Sequence, residues 1–205
     1  MLARIRAATA DISGLPDVPR RYAPASRAPG SADDALVSQF EERASDYRAT
    51  VYRCAADQTA QVIADAVAAR GAGRIGVPRG FPAEWSALLP GAVPDDPPLD
   101  VAALDALDGV VTTCAVAIAE TGTIVLDGSP DQGRRAITLV PDYHLCIVRA
   151  AQVVEIVPEA VARLAAQADR PLTWISGPSA TSDIELKRVE GVHGPRTLEV
   201  ILVGP

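Results

Sequence analysis

The chain has 205 residues, room for one domain and an arm, and with 48% apolar but only 4% aromatic residues its core must be built from Ala, Val, Leu and Ile. Nineteen Lys and Arg stand against twenty-six Asp and Glu, and the resulting net charge of −7 argues against general binding to nucleic-acid backbones or anionic membranes, while leaving room for one local anion site. The three cysteines, Cys54, Cys114 and Cys146, are far apart and form no C-x-x-C, which argues against a disulfide framework and against an iron–sulfur cluster held by this chain, and fits a reducing compartment.

Residues 2–12 predict a short helix without the apolar stretch of a secretory signal, and no uninterrupted apolar run of about 18 residues predicts a membrane span. The cytoplasm is therefore the expected compartment. Pro16, Pro19, Pro24 and Pro29 make residues 14–30 an extended or irregular arm, either a plain linker or a segment that docks on a partner. The expected division is an arm over 1–31 and an α/β domain over 32–205. A helix from about Ser31 to Arg48 turns Leu36, Val37, Phe40 and Ala44 to one face. Thr50 to Cys54 reads as a strand, and a helix opening at Asp57 buries Val62, Ile63, Ala66 and Val67 before closing near Gly71. Arg74 to Val77 is the next strand and Pro82 to Leu89 a short helix. A Pro- and Asp-rich loop over 90–98 precedes a helix over 100–107.

From here strands cluster. Gly109 to Thr112 and Val116 to Ala119 read as one interrupted strand. Thr123 to Leu126 follows through a tight Glu-Thr-Gly turn, as in a hairpin. After a turn-rich loop over 128–133, strands are expected at Ala136 to Val140, His144 to Val148 and Val153 to Val157. Pro158 opens a helix to Gln167. Leu172 to Ser176 reads as a buried strand, Ser182 and Glu185 as a capping box, and the continuous apolar run Thr197 to Val203 as a central strand. Early β-α alternation followed by clustered strands predicts an α/β fold: a mixed sheet with helices on both faces.

Three segments set glycine and polar residues beside a strand. In Ala119-Glu120-Thr121-Gly122-Thr123, a carboxylate at a strand end can be partly buried and so act as base or nucleophile, and Gly122 can admit a ligand to the backbone; the alternative is a turn whose carboxylate accepts backbone N–H bonds. In Ile175 to Glu185, a strand, a Gly-Pro turn and a helix start bring backbone amides and the hydroxyls of Ser176, Ser179, Thr181 and Ser182 toward an anion, although Asp183 and Glu185 also suit ordinary capping. It is not a Walker loop, since no Gly-Lys-Ser/Thr is present. In Gly191-Val192-His193-Gly194-Pro195 the neighbours fix where the imidazole points, for use as a base, donor or ligand, or simply to bond a carbonyl. His144 opens a strand. Of Arg134 and Arg135, one is expected to be solvated and the other is able to clamp a carboxylate or phosphate. No metal-type histidine spacing occurs, so no metal is expected. Glu120 and His193 are thus the catalytic candidates. Thr121, Gly122, Thr123, Arg135, His144, Ser176, Gly177, Ser179, Asp183, Glu185 and Gly194 are the candidates for ligand contact.

The run Ala117-Ile-Ala-Glu-Thr-Gly-Thr-Ile-Val-Leu126, then Arg135, then Leu139-Val-Pro-Asp-Tyr-His144, resembles the central signature of the lactate-utilisation protein C family (LutC/YkgG, the LUD domain). Ser176 to Glu185 and Gly191 to Pro195 resemble its C-terminal signature. The resemblance implies a three-layer α/β/α fold like that of the NagB/RpiA/CoA-transferase superfamily. It also implies a non-cluster component in L-lactate oxidation to pyruvate, working with iron–sulfur partner proteins, a component able to bind lactate, bridge the cluster proteins or assist electron flow. A small anionic ligand is the expected small-molecule partner. It names no cofactor. An alternative, by analogy with that superfamily, is a stand-alone CoA-transferase-like or sugar-phosphate enzyme with Glu120 as nucleophile. The sequence leaves room for a homo-oligomer.

Overall fold

The computed structural model describes residues 2–10, 19, 33–167, 169–178 and 194–204. Helix α1 (Leu2–Ala8) buries no residue. Helix α2 (Asp34–Asp46) starts where the Asp33 carboxylate accepts the Ala35 N–H at 3.0 Å, and it buries Leu36, Val37, Phe40 and Ala44, the face its spacing predicts. Strand β1 (Thr50–Cys54) leads to α3 (Thr59–Ala69), β2 (Ile75–Val77), α4 (Ala83–Ser86), β3 (Ala92–Pro94), α5 (Val101–Asp105) and β4 (Gly109–Thr113). Then come β5 (Val116–Ile118), β6 (Thr123–Leu126), β7 (Tyr143–Arg149), β8 (Val153–Val154), α6 (Val157–Leu164), β9 (Thr173–Ile175) and β10 (Thr197–Val203).

Six strands pair in the order β1-β10-β7-β4-β2-β3, all parallel. Such a sheet needs apolar cover on both faces. On one face, Ile63 and Val67 of α3 and Trp85 of α4 pack on Val111, Leu145, Ile147 and Ile201. On the other, Leu36, Val37 and Phe40 of α2 pack on Cys146, Val148, Val200 and Leu202. The fold is thus α/β in three layers. The last strand, with no polar residue after Glu199, lies between β1 and β7 as its composition predicts. Among the described residues no helix is long and apolar enough to cross a membrane.

The structure departs from the sequence reading at four places. A second sheet, β8-β5-β6-β9, carries the antiparallel pairs, so the mixed character belongs to it and not to the main sheet. It forms because the expected strand over 109–119 breaks at Cys114-Ala115, where the chain leaves one sheet for the other. Ala117, Ala119, Ile124 and Leu126 then face α2, while Val116, Ile118 and Val125 face α6. Residues 135–138 form a 3-10 turn instead of a strand: Ile137 buries against Leu104, Leu107 and Val110 while the Thr138 hydroxyl returns to the Arg135 carbonyl at 3.2 Å. Strand β9 is a half-exposed member of the second sheet, not a buried strand. The loop over 90–98 contains the short strand β3, at the outer edge of the main sheet.

Candidate functional site

In open parallel sheets, ligands usually sit beyond the carboxyl ends of the strands, where neighbouring connections diverge. Here that crevice, beside β2 and β4, is closed by the loop over 127–133. The Gly80 N–H donates to the Pro130 carbonyl at 2.9 Å, and a Cβ on Gly80 would lie 2.5 Å from Pro130. Thr113 donates its backbone N–H and its hydroxyl to Asp131, at 3.2 and 2.5 Å. Buried Gln132 accepts from the Asp127 N–H at 2.7 Å. The loop is a plug whose polar groups satisfy one another.

Of the described candidates, His144 and Gly194 lie at the opposite end, where the parallel strands begin, and Gly122 and Gly177 pack against the end of α2. His144 is the second residue of β7, and Gly194 precedes β10 by three residues. Gly122, at φ +61°, sits against the backbone of Arg43 and Ala44 near the end of α2, and Gly177, at φ +73°, sits against Tyr47 just past it. These two glycines were expected to admit a ligand. What approaches them is α2, and a Cβ would fall 2.5 Å from the Ala44 nitrogen in one case and 2.3 Å from the Tyr47 carbonyl oxygen in the other.

A chain of hydroxyls joins the first two motifs. Thr121 and Thr123 share a hydrogen bond of 2.7 Å, and buried Thr123 shares another of 2.7 Å with Ser176. The pairing of β6 with β9 brings these side chains together, since Ile124 faces Ile175. Glu120 caps the hairpin tip. Its backbone N–H donates to the Glu155 carbonyl at 3.0 Å, and its residue is exposed, where partial burial was expected. Burial lapses at Glu120 and returns at Gly122, where α2 covers the hairpin.

His144 is 1% exposed. Its Nε2 is 2.8 Å from the Thr112 hydroxyl, and its Nδ1 has no hydrogen-bond partner among the described residues. Burial, and secondarily the nearby Arg135 charge, lower its pKa to about 4, so the imidazole is neutral at pH 7. A neutral ring with one vacant nitrogen suits donation to or acceptance from a ligand better than proton abstraction. Arg135 bonds Thr138 at 3.2 Å, and partial burial lowers its pKa. Arg134 is held by a carboxylate. It grips Asp95 through Nε and Nη2, at 2.8 and 2.9 Å. Burial alone would raise the Asp95 pKa, but the Arg134 bonds hold it below the ordinary carboxylate value. Arg134→Ala should therefore lower stability by about 2 kcal/mol, read as a fall in the urea midpoint, because it strands a nearly buried carboxylate.

Sequence reasoning missed Thr112, hidden in the apolar run of β4, and a polar cleft of about 500 Å³ at the same end of the sheet. In it Tyr143 donates to Glu199 at 2.9 Å, and burial with the Glu199 charge pushes that phenol well above its ordinary pKa. Arg70 lies over the Tyr143 ring at 5.3 Å and bonds Glu199 at 3.1 Å. Ser179, Asp183, Glu185 and His193, with the expected capping box at Ser182 and much of the expected arm, lie outside the described residues.

Residues 101–203 match the model of the LUD domain. A Deinococcus radiodurans protein named "Lactate utilization protein C" is 53% identical over 171 residues, covering 82% of this chain and 80% of that protein. The Escherichia coli protein YkgG is 37% identical over 84 residues, 38% of this chain and 36% of its own length. A crystal structure of a DUF162 family protein from D. radiodurans superposes with a TM-score of 0.73 at 45% identity, over 83% of this chain and 98% of that one.

Proposed function

Because the chain belongs to the LUD domain family, we propose that it serves lactate utilisation as the component that carries no iron–sulfur cluster, acting with cluster-bearing partners in the oxidation of L-lactate to pyruvate. The single observation that carries this reading is the 53% identity, over four fifths of both chains, to a relative named for lactate utilisation. The arm over 1–31 and the domain over 32–205 remain the working division.

The proposed ligand is a small anion. Glu120 and Arg135 are its proposed charged contacts, and His144 and the hydroxyls of Thr121, Thr123 and Ser176 its neutral ones; Gly194 is a further proposed contact, as are Ser179, Asp183, Glu185 and His193, which lie outside the described residues. Support comes from the hydrogen bonds that join Thr121, Thr123 and Ser176 and from the vacant Nδ1 of His144. A carboxylate ligand beside Arg135 would regain, through the guanidinium fork, the hydration it loses.

Deletion of the gene should abolish growth on L-lactate in a strain with no other lactate oxidase. Normal growth would remove the reading. Because Glu120 is exposed, Glu120→Gln should change stability by no more than about 0.5 kcal/mol, yet it should fail to restore growth. A variant that restores growth fully would take Glu120 out of the site.

A further inference from the structure

We infer that helix α1 is a docking element that grips the acidic α5 edge of a second copy of this chain. The first observation is the state of the helix. Every residue of α1 is exposed, and Leu2 and Ile5, one turn apart on one face, are 69% and 53% exposed. An amphipathic turn with nothing against its apolar side is a poor helix in isolation.

The second observation is charge. Residues 1–32 hold five arginines and two aspartates, a net +3, whereas the rest of the chain holds fourteen basic and twenty-four acidic residues, a net −10. The acids are concentrated. Between Arg79 and Arg134 there are nine Asp and Glu and no Lys, Arg or His. Three of them, Asp96, Asp100 and Asp105, are exposed on and around α5. Asp100 directly precedes Val101, itself 69% exposed, and Asp105 follows it by one helical turn. Leu139, 41% exposed, ends the 3-10 turn that packs against this helix.

The two surfaces are complementary. Leu2 and Ile5 between Arg4 and Arg6 match Val101 and Leu139 among three aspartates. A basic arm on an acidic body finds its charge partner on another copy of the same molecule. A two-fold exchange would place two such contacts in one dimer, which compensates for the small size of each.

The test uses the full chain in sedimentation equilibrium at low and high salt. Expected are a dimer weakened by salt, and a dissociation constant raised about tenfold or more by Arg4→Glu with Arg6→Glu. Adding Asp96→Arg and Asp105→Arg to that variant should restore the dimer, a rescue that no misfolding can imitate. A monomeric wild-type chain overturns the inference. So does a dimer that survives deletion of residues 1–10, or a monomer in which α1 is protected from protease by its own body. Binding to cluster-bearing partners that requires α1 while the chain alone stays monomeric would also overturn it, and would assign the helix to those partners instead.

Discussion

Acidification from pH 6.5 to pH 4 should remove on the order of 3 kcal/mol of folding stability through His144 alone. The buried ring has its pKa lowered to about 4, while in the unfolded chain it returns to its ordinary value of 6.5. Between those values the unfolded state binds the extra proton and the folded state does not. The His144 contribution is therefore complete above pH 6.5, falls as the pH drops through this window, and is gone below about 4. Protonation would place a cation, 1% exposed, near Arg135, with the Thr112 hydroxyl as its one hydrogen-bond partner among the described residues. Urea unfolding of the wild type and of His144→Asn at pH 7, 6, 5 and 4.5 measures it. The variant's stability should fall less steeply, and the two profiles should converge as the acid is reached. Parallel profiles would mean that the ring is solvated or already charged.

Gly122→Ala should be as costly, at about 3 kcal/mol, for a different reason. A left-handed φ costs a side chain roughly 1 kcal/mol. A Cβ at 2.5 Å from the Ala44 nitrogen and 2.6 Å from the Arg43 carbonyl carbon adds overpacking of roughly 2 kcal/mol, since helix backbone cannot rotate aside as a side chain would. Two further glycines separate these contributions. Gly71 has φ +67° with nothing within 4 Å, so its alanine variant should lose only about 1 kcal/mol. Gly194 has open space and no positive φ, so its variant should stay within about 0.5 kcal/mol. Equal losses at Gly71 and Gly122 would show that α2 yields and that the close approach carries no energy.

The legible parts of the fold were those written in local pattern. Leu36, Val37, Phe40 and Ala44 declare a helix face, and the run ending at Val203 declares a central strand, because each periodicity follows from burial on a single element. Ala136 to Val140 misled because an apolar run is compatible with a strand or a packed turn, and the partners that decide between them, Leu104, Leu107 and Val110, are distant in sequence. Cys114-Ala115 gave no sign that the chain changes sheets there.

The candidate site was half legible for the same reason. Gly122 was read as a place where a ligand could near the backbone, and Gly122 and Gly177 both meet α2 closely, for a glycine does not say what approaches. Thr112 and His144 meet across 32 residues of sequence, and the shift in the ring's pKa comes from burial that no neighbour in sequence encodes. Glu120 differed from expectation because a strand end is buried only if something packs over it.

One consequence concerns α2. Its first residue follows directly on the segment that joins it to α1, and its far end supports both Gly122 and Gly177. Thirteen helical residues form a rod about 20 Å long that bends little. A shift of that rod would be felt at Gly122 and Gly177 together, so one helix sets the spacing of the two turns that the Thr121–Thr123–Ser176 bonds join.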